Sequence, residues 1–266
     1  MDALCGAIDG AGFPGEHSAA IIRALLTGRR DALPQETVEA FRRSGASHIL
    51  ALSGMHLGVI YLLIRRLLWP LGNSLPVKVL RCAVCIGACA FYTISTGAGP
   101  SITRAFLFIL IRECGSLMPG RRLSGAGTLG LALMVQLAVH PGVIASAGFQ
   151  LSYLAMMGIT LLYPRLRAWY PGRGRMDPLR RIWEAAALSI SCQLFTAPAA
   201  WWHFRSLPGH FLLTNIIALP LTEFIIVTAL CGLLLGALGI NARPLVYAGG
   251  KAAEMLEFCL EAISSM

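Results

Sequence analysis

From residue 46 onward the chain is a succession of apolar runs divided by short polar or Gly/Pro-containing breaks. Seven runs stand out, near 46–68, 77–96, 102–118, 124–140, 143–163, 182–203 and 211–239. About 20 apolar residues carry a helix across the hydrocarbon of a bilayer, so the shortest runs only just suffice. The last is too long for one straight helix, and Pro220 is expected to break or kink it. Before these runs the period changes. From Glu16 to Arg30, the residues Glu16, Arg23 and Arg30 recur every seven positions, with Ile21, Ile22, Leu25 and Leu26 between them. That spacing predicts an amphipathic helix lying on a membrane surface. A second short helix follows, with Pro34 near its start, Glu36 and Glu39 early, Arg42 and Arg43 late, and Gly45 as its stop. A last amphipathic stretch covers roughly 244–263.

The expected fold is therefore all-α: a polytopic transmembrane helix bundle with about seven spans plus amphipathic surface helices. It divides into an amphipathic juxtamembrane segment, 1–44, and a transmembrane domain, 45–266. Composition agrees. The chain is 56% hydrophobic and 13% charged, with a mean hydropathy of +0.67, whereas soluble domains carry about 25% charged residues. The eight cysteines lie in or near apolar runs at irregular spacing, which reads as reduced packing thiols rather than a disulfide framework. The N-terminus shows no basic region followed by an apolar one, so no signal peptide is read there. The expectation is either a start inside a longer ancestral architecture or a truncated gene.

Basic residues give an orientation. Arg65, Arg66, Lys78 and Arg81 follow the first run; Arg112, Arg121 and Arg122 follow the third; Arg165, Arg167, Arg173, Arg175, Arg180 and Arg181 follow the fifth. The links after the second and fourth runs carry none. The positive-inside rule then puts the odd-numbered links in the cytoplasm and the N-terminal segment outside. The net charge of +9 fits this, and equally anionic lipid or nucleic acid.

Several polar residues interrupt the apolar runs, which is costly unless each meets a partner or water. His48 precedes Ser53-Gly54-Met55-His56 in the first run. This is either a polar pore wall or a helix contact at Gly54 with a satisfied histidine. Arg104 follows Gly97-Ala98-Gly99-Pro100-Ser101, where a helix N-terminus with an arginine one turn in suits a phosphate, or where the arginine reaches the outer headgroups. Gln150 and Ser152 either line a cavity or tie helices together. Gln193, Thr196 and Pro198 cluster in the sixth run, and Asn215, Pro220, Thr222 and Glu223 in the seventh, as in transporters built on broken helices. Glu223 is expected to pair with an arginine such as Arg104 or to stay protonated. Cys82, Cys85 and Cys89 share a helix face, as small packing residues or, with a missing fourth ligand, a metal cluster. The sequence contains no His-x-His-x-Asp-His, no phosphate-binding loop of the Gly-x-x-x-x-Gly-Lys-Ser/Thr type and no His-Glu-x-x-His, so no catalytic site, metal or cofactor is assigned.

The runs Ala24-Leu25-Leu26-Thr27-Gly28-Arg29-Arg30 and Phe41 through Gly58 closely resemble the signature of the ComEC competence family. Gly97 to Ala105, His140-Pro141, Phe149 to Tyr153, Ala197-Pro198 and Asn215 to Pro220 follow in the family's order. The resemblance implies uptake of single-stranded DNA through a channel in the cytoplasmic (inner) membrane during natural transformation. It makes His48, Ser53, His56, Arg104, Gln150, Ser152 and Asn215 candidates for the DNA pathway. It implies the lipid bilayer and single-stranded DNA as partners, with a DNA receptor, a helicase-like ATPase and a separately encoded nuclease as further ones, and leaves homo-oligomerisation open. The chain departs from the pattern at Arg29, where the family commonly has an acid, and lacks the family's OB-like and metallo-β-lactamase-like domains. Two other readings stay open. One is an intramembrane serine hydrolase using Ser53, although Ser53 and His56 at i, i+3 on one helix suit a nucleophile–base pair poorly. The other is a truncated remnant that transports nothing.

Overall fold

A computed structural model describes residues 2–118, 123–171, 177–205 and 209–265. Arg121, Arg122, Arg173 and Arg175, which contributed to the orientation reading, lie outside them. The described residues are all-α, with no strand among them. Thirteen α-helices follow in order: α1 (Asp2–Gly10), α2 (Glu16–Thr27), α3 (Gln35–Arg43), α4 (Ser47–Leu50), α5 (Gly54–Leu67), α6 (Leu75–Ser95), α7 (Pro100–Leu117), α8 (Gly125–Val139), α9 (Ala147–Leu161), α10 (Tyr163–Ala168), α11 (Pro178–Phe204), α12 (Phe211–Ala237) and α13 (Arg243–Ser264).

Two helices, α6 and α12, are long and apolar enough to cross a membrane by length and composition. The other five expected runs are realised differently. The run 46–68 is broken by a non-helical segment at 51–53, with Ala51 extended, which leaves α5 only 14 residues long. Helices α8 and α9 have 15 residues each, α7 carries Arg104, Arg112 and Glu113, and α11 opens on Arg180, Arg181 and Glu184. Pro198 and Pro220 sit inside continuous 27-residue helices, so neither run is a broken helix. A missing N–H costs one helical bond, which packing on neighbouring helices outweighs. At about 1.5 Å per residue α12 is about 40 Å long, more than the roughly 30 Å hydrocarbon thickness of a bilayer.

The N-terminal helices are part of the bundle. Ile21, Ile22, Leu25 and Leu26 of α2 are fully buried in a core shared with Ile225 and Ile226 of α12 and Leu256 and Leu260 of α13. The apolar stripe read as a membrane-facing surface is thus covered by protein. Polar contacts fix the same junction: Glu257 on α13 accepts from Thr37 on α3 at 2.7 Å and pairs with His17 on α2 at 2.6 Å. Helix α3 has the expected order of charges, with Glu39 paired to both Arg42 and Arg43, and it stops before Gly45 at φ 84°.

A second core joins α5, α6 and α7 through Leu57, Ile60, Tyr61, Cys85, Cys89, Ile102 and Ile109. All eight cysteines are free thiols, and Cys82, Cys85 and Cys89 are buried. Where α9 meets α11, Gly158 lies so close that a Cβ there would stand 2.2 Å from the Ser191 carbonyl oxygen. Small residues permit such backbone approach in helix pairs.

Candidate functional site

Residues 96–100 make the sharp turn that separates α6 from α7, with Gly97 at φ 81° and Ala98 at φ 49°. Pro100 begins α7 without a side-chain cap, which leaves helix-terminal N–H groups near Ser101 without an intrahelical partner. One turn further on, Arg104 points inward and is only 5% exposed. Its Nη2 donates to the Gly148 carbonyl at 2.7 Å, and its guanidinium carbon lies 5.6 Å from the Phe149 ring and 5.5 Å from the Tyr153 ring. Its Nε and Nη1 are buried without a hydrogen-bond partner. The aromatic faces supply a cation–π roof, but a buried cation still calls for a counter-charge or water.

Arg104 borders a cavity of about 60 Å³ together with Gly54, Ser101, Ala105, Ser152 and Tyr153. That is room for a few waters or one small anion. No carboxylate lines it. The expected partner, Glu223, is exposed on α12 and makes no ion pair with Arg104, whose Nη2 donates to the Gly148 carbonyl instead.

Of the seven candidate residues, Arg104 and Ser152 line this cavity. Ser53 and His56 are not among its lining residues, although Gly54, next to Ser53 in the chain, is. Ser53 is the N-cap of α5 rather than a residue within it: its extended backbone lets the N–H donate to His56 Nδ1 at 3.2 Å while Oγ lies 3.0 Å from the same nitrogen. The pair is therefore close enough for a nucleophile–base contact, which i, i+3 spacing within a helix disfavours. It is spent on a capping box, however, with Met55 N–H donating to Ser53 Oγ at 3.3 Å. His56, 1% exposed, has no partner on Nε2, so no third group orients the ring.

The remaining three lie elsewhere. Gln150 is turned toward α11, accepting from His203 at 2.8 Å and donating to the Ile144 carbonyl at 3.0 Å. His48 is exposed and donates to the Gly45 carbonyl at 3.1 Å. Asn215, near the start of α12, keeps a buried Oδ1 without a partner. Convergence of the seven is thus partial. It is strongest where α5, α7 and α9 meet.

Sequence reasoning missed two groups of residues. The first is the aromatic pair Phe149 and Tyr153 around Arg104; their i, i+4 spacing was visible, but not what it faced. The second is a buried network in which Tyr61 and Arg65 on α5 both donate to Glu113 on α7, and Arg65 also donates to the Tyr61 hydroxyl. Glu113 is 4% exposed. An acid within an apolar run was its only signal.

The chain belongs to the competence protein family, whose family model matches residues 25–266. Among curated proteins it is similar to ComE operon protein 3 of Bacillus subtilis, at 27% identity over 86% of this chain and 28% of that protein. It is also similar to competence protein ComA of Neisseria gonorrhoeae, at 28% identity over 88% of this chain and 32% of that protein. An uncharacterised protein of Escherichia coli, YcaI, matches at 27% identity over 87% of this chain and 30% of its own length. The chain therefore spans about a third of the length of these relatives. No solved structure matches it.

Proposed function

We propose that the chain forms the transmembrane conduit through which a single DNA strand crosses the cytoplasmic membrane during natural transformation. Family membership supports the process. The unpaired Arg104 guanidinium, in a cavity without a carboxylate, is the observation that carries the substrate. A phosphodiester supplies one negative charge and oxygen acceptors where this wall has donors without a mate, and guanidinium groups suit that geometry. Ser101, Ser152 and the free end of α7 add neutral polar groups to the same wall.

In this reading all seven apolar runs cross the bilayer, the shorter ones with local thinning and anchored ends. The ends of α5 and α6 that carry Arg65, Arg66, Lys78 and Arg81 face the cytoplasm, and residue 96, at the other end of α6, faces out. The chain does no chemistry. A receptor outside, a helicase-like ATPase inside and a separate nuclease deliver, pull and trim the strand.

The test is uptake of labelled DNA by cells that depend on this chain, with protein levels matched by immunoblot. Arg104→Ala should lower uptake about tenfold to a hundredfold, the equivalent of losing one charge-assisted contact of about 1.5–3 kcal/mol. Arg104→Lys should retain part of it, and His56→Ala should also lose uptake. Wild-type uptake by well-expressed Arg104→Ala and His56→Ala cells would count against the conduit.

A further inference from the structure

The Arg104 cavity carries a charge that no protein group among the described residues balances. Arginine stays protonated at neutral pH even when buried, and this one is 5% exposed, with Nε and Nη1 lacking hydrogen-bond partners. The Gly148 carbonyl and the rings of Phe149 and Tyr153 offer partial negative charge only. Neither a carboxylate nor a second cation lines the cavity, so its formal charge is +1. Much of the remaining wall is apolar, from Phe108 on α7, Leu129 on α8 and Met156 on α9. In such surroundings a lone cation is poorly solvated, and a counter-ion is attracted far more strongly than in water.

Donors gather at the same place. Ser101 and Arg104, three residues apart on one face of α7, both line the cavity, and Ser152 of α9 joins them. Pro100 has no N–H, and the first backbone bond at this helix end runs from Thr103 to the Gly99 carbonyl at 3.0 Å. That leaves the N–H groups of Ser101 and Ile102 as free terminal donors. The positive end of the 18-residue α7 thus meets the cavity at Ser101. A helix end alone defines no site; the buried guanidinium beside it, with two unengaged N–H groups, does. Size narrows the ligand. About 10–15 Å³ suffices for one water, and a halide is only slightly larger, so about 60 Å³ accepts one with a water beside it. Charge narrows it further, because a divalent anion would leave an uncompensated negative charge against an apolar wall.

We infer that this cavity binds one small monovalent inorganic anion, chloride under physiological conditions, through Arg104, Ser101 and Ser152. The ion is the resident counter-charge where α7 meets α9. This goes beyond the conduit reading, because the burial of Arg104 calls for the ion whether or not a strand passes. A DNA phosphate that reached Arg104 would have to displace it.

The experiment uses the full chain in nanodiscs of zwitterionic lipid, moved from gluconate into chloride at constant ionic strength. The chloride NMR line should broaden in a saturable way, and bromide should reverse the broadening by competition. Arg104→Gln should abolish that component. A chain of net charge +9 also attracts chloride diffusely, so Arg181→Gln, at an exposed arginine of α11, serves as the control and should leave the component unchanged. Ser101→Ala, which keeps the guanidinium, should weaken binding about tenfold, the equivalent of one hydrogen bond to an ion. Equal broadening by the wild type and Arg104→Gln overturns the inference and makes water the occupant. If Arg104→Gln does not fold, Ser101→Ala and Ser152→Ala decide, and unchanged affinity in both overturns it. The two readings fail separately. No chloride site in the wild type, with DNA uptake lost in Arg104→Ala cells, removes the ion and leaves the conduit. A chloride site with normal uptake in those cells removes the conduit and leaves the ion.

Discussion

The contact between α9 and α11 allows a sharp test, because it depends on the absence of a single carbon atom. A methyl group at Gly158 would sit 2.2 Å from the Ser191 carbonyl oxygen, 2.9 Å from its carbon and 3.2 Å from the Phe195 ring. Restoring an ordinary contact of 3.4 Å requires a retreat of about 1.2 Å, and the principal obstacle is backbone rather than a rotatable side chain. Gly158→Ala should therefore push the helices apart. Overpacking of this kind costs about 1–3 kcal/mol, set against a gain of up to about 1 kcal/mol for alanine over glycine in a helix. With the full helix-propensity gain, a net loss of about 0–2 kcal/mol is expected, and Gly158→Ala should be about 1–3 kcal/mol less stable than the Gly130→Ala control. The control is Gly130→Ala on α8, where an added Cβ meets nothing within 4 Å and the helix-propensity gain alone should appear. Denaturant unfolding of both purified variants, followed by the fluorescence of Trp183, Trp201 and Trp202 on α11, gives the comparison. Since α9 also carries Phe149, Ser152 and Tyr153, the same variant should lower DNA uptake. Equal stability of Gly158→Ala and Gly130→Ala would refute the packing argument.

Four other outcomes are expected. Tyr92→Phe leaves the buried Leu26 carbonyl without its side-chain donor, which should cost about 1–3 kcal/mol in the same unfolding assay. Glu113→Ala strands Arg65 and Tyr61; because the Arg65 side chain is 37% exposed, the loss should be about 2–3 kcal/mol, less than the 3–5 kcal/mol of a fully buried pair, and Glu113→Gln should lose less. Hydrogen bonds from Arg42 and Arg43 hold the half-buried Glu39 carboxyl below its usual 4.5, so its contribution to stability is present above that value and fades as pH falls below it. Glu39→Gln should flatten that acid limb of the stability–pH curve slightly. A fluorophosphonate probe should leave Ser53 unlabelled, because His56 serves the α5 cap and has no orienting partner; labelling abolished by Ser53→Ala would revive hydrolysis.

Much of the fold follows from periodicity and punctuation. The turn at Gly97–Pro100, the short helix ending before Gly45 and the last amphipathic helix all fall where glycine, proline and charge order put them. These signals are local: a backbone needing φ > 0, a missing N–H or a helix dipole acts within a few residues. The competence-family signature was equally legible, since its residues stand in the chain in order. The site was only half legible. Arg104 stood out because a charge in an apolar run is rare, and Ser152 stood out as a hydroxyl. Gln150 carried the same signal, yet it faces His203 and not the cavity.

The sequence by itself determined that this is an all-helical, strongly apolar chain of the competence family, and that polar groups are embedded in its helices. The tertiary structure decided what each face meets. It buried α2 against α12 and α13, kept α11 and α12 continuous through Pro198 and Pro220, left Glu223 exposed, and set Arg104 under two aromatic rings beside an otherwise neutral cavity. The reason is physical: a repeat of 3.6 residues records which side of a helix is apolar, but lipid, a neighbouring helix and a buried cavity can each cover that side. The cover is chosen only when residues far apart in the chain pack together.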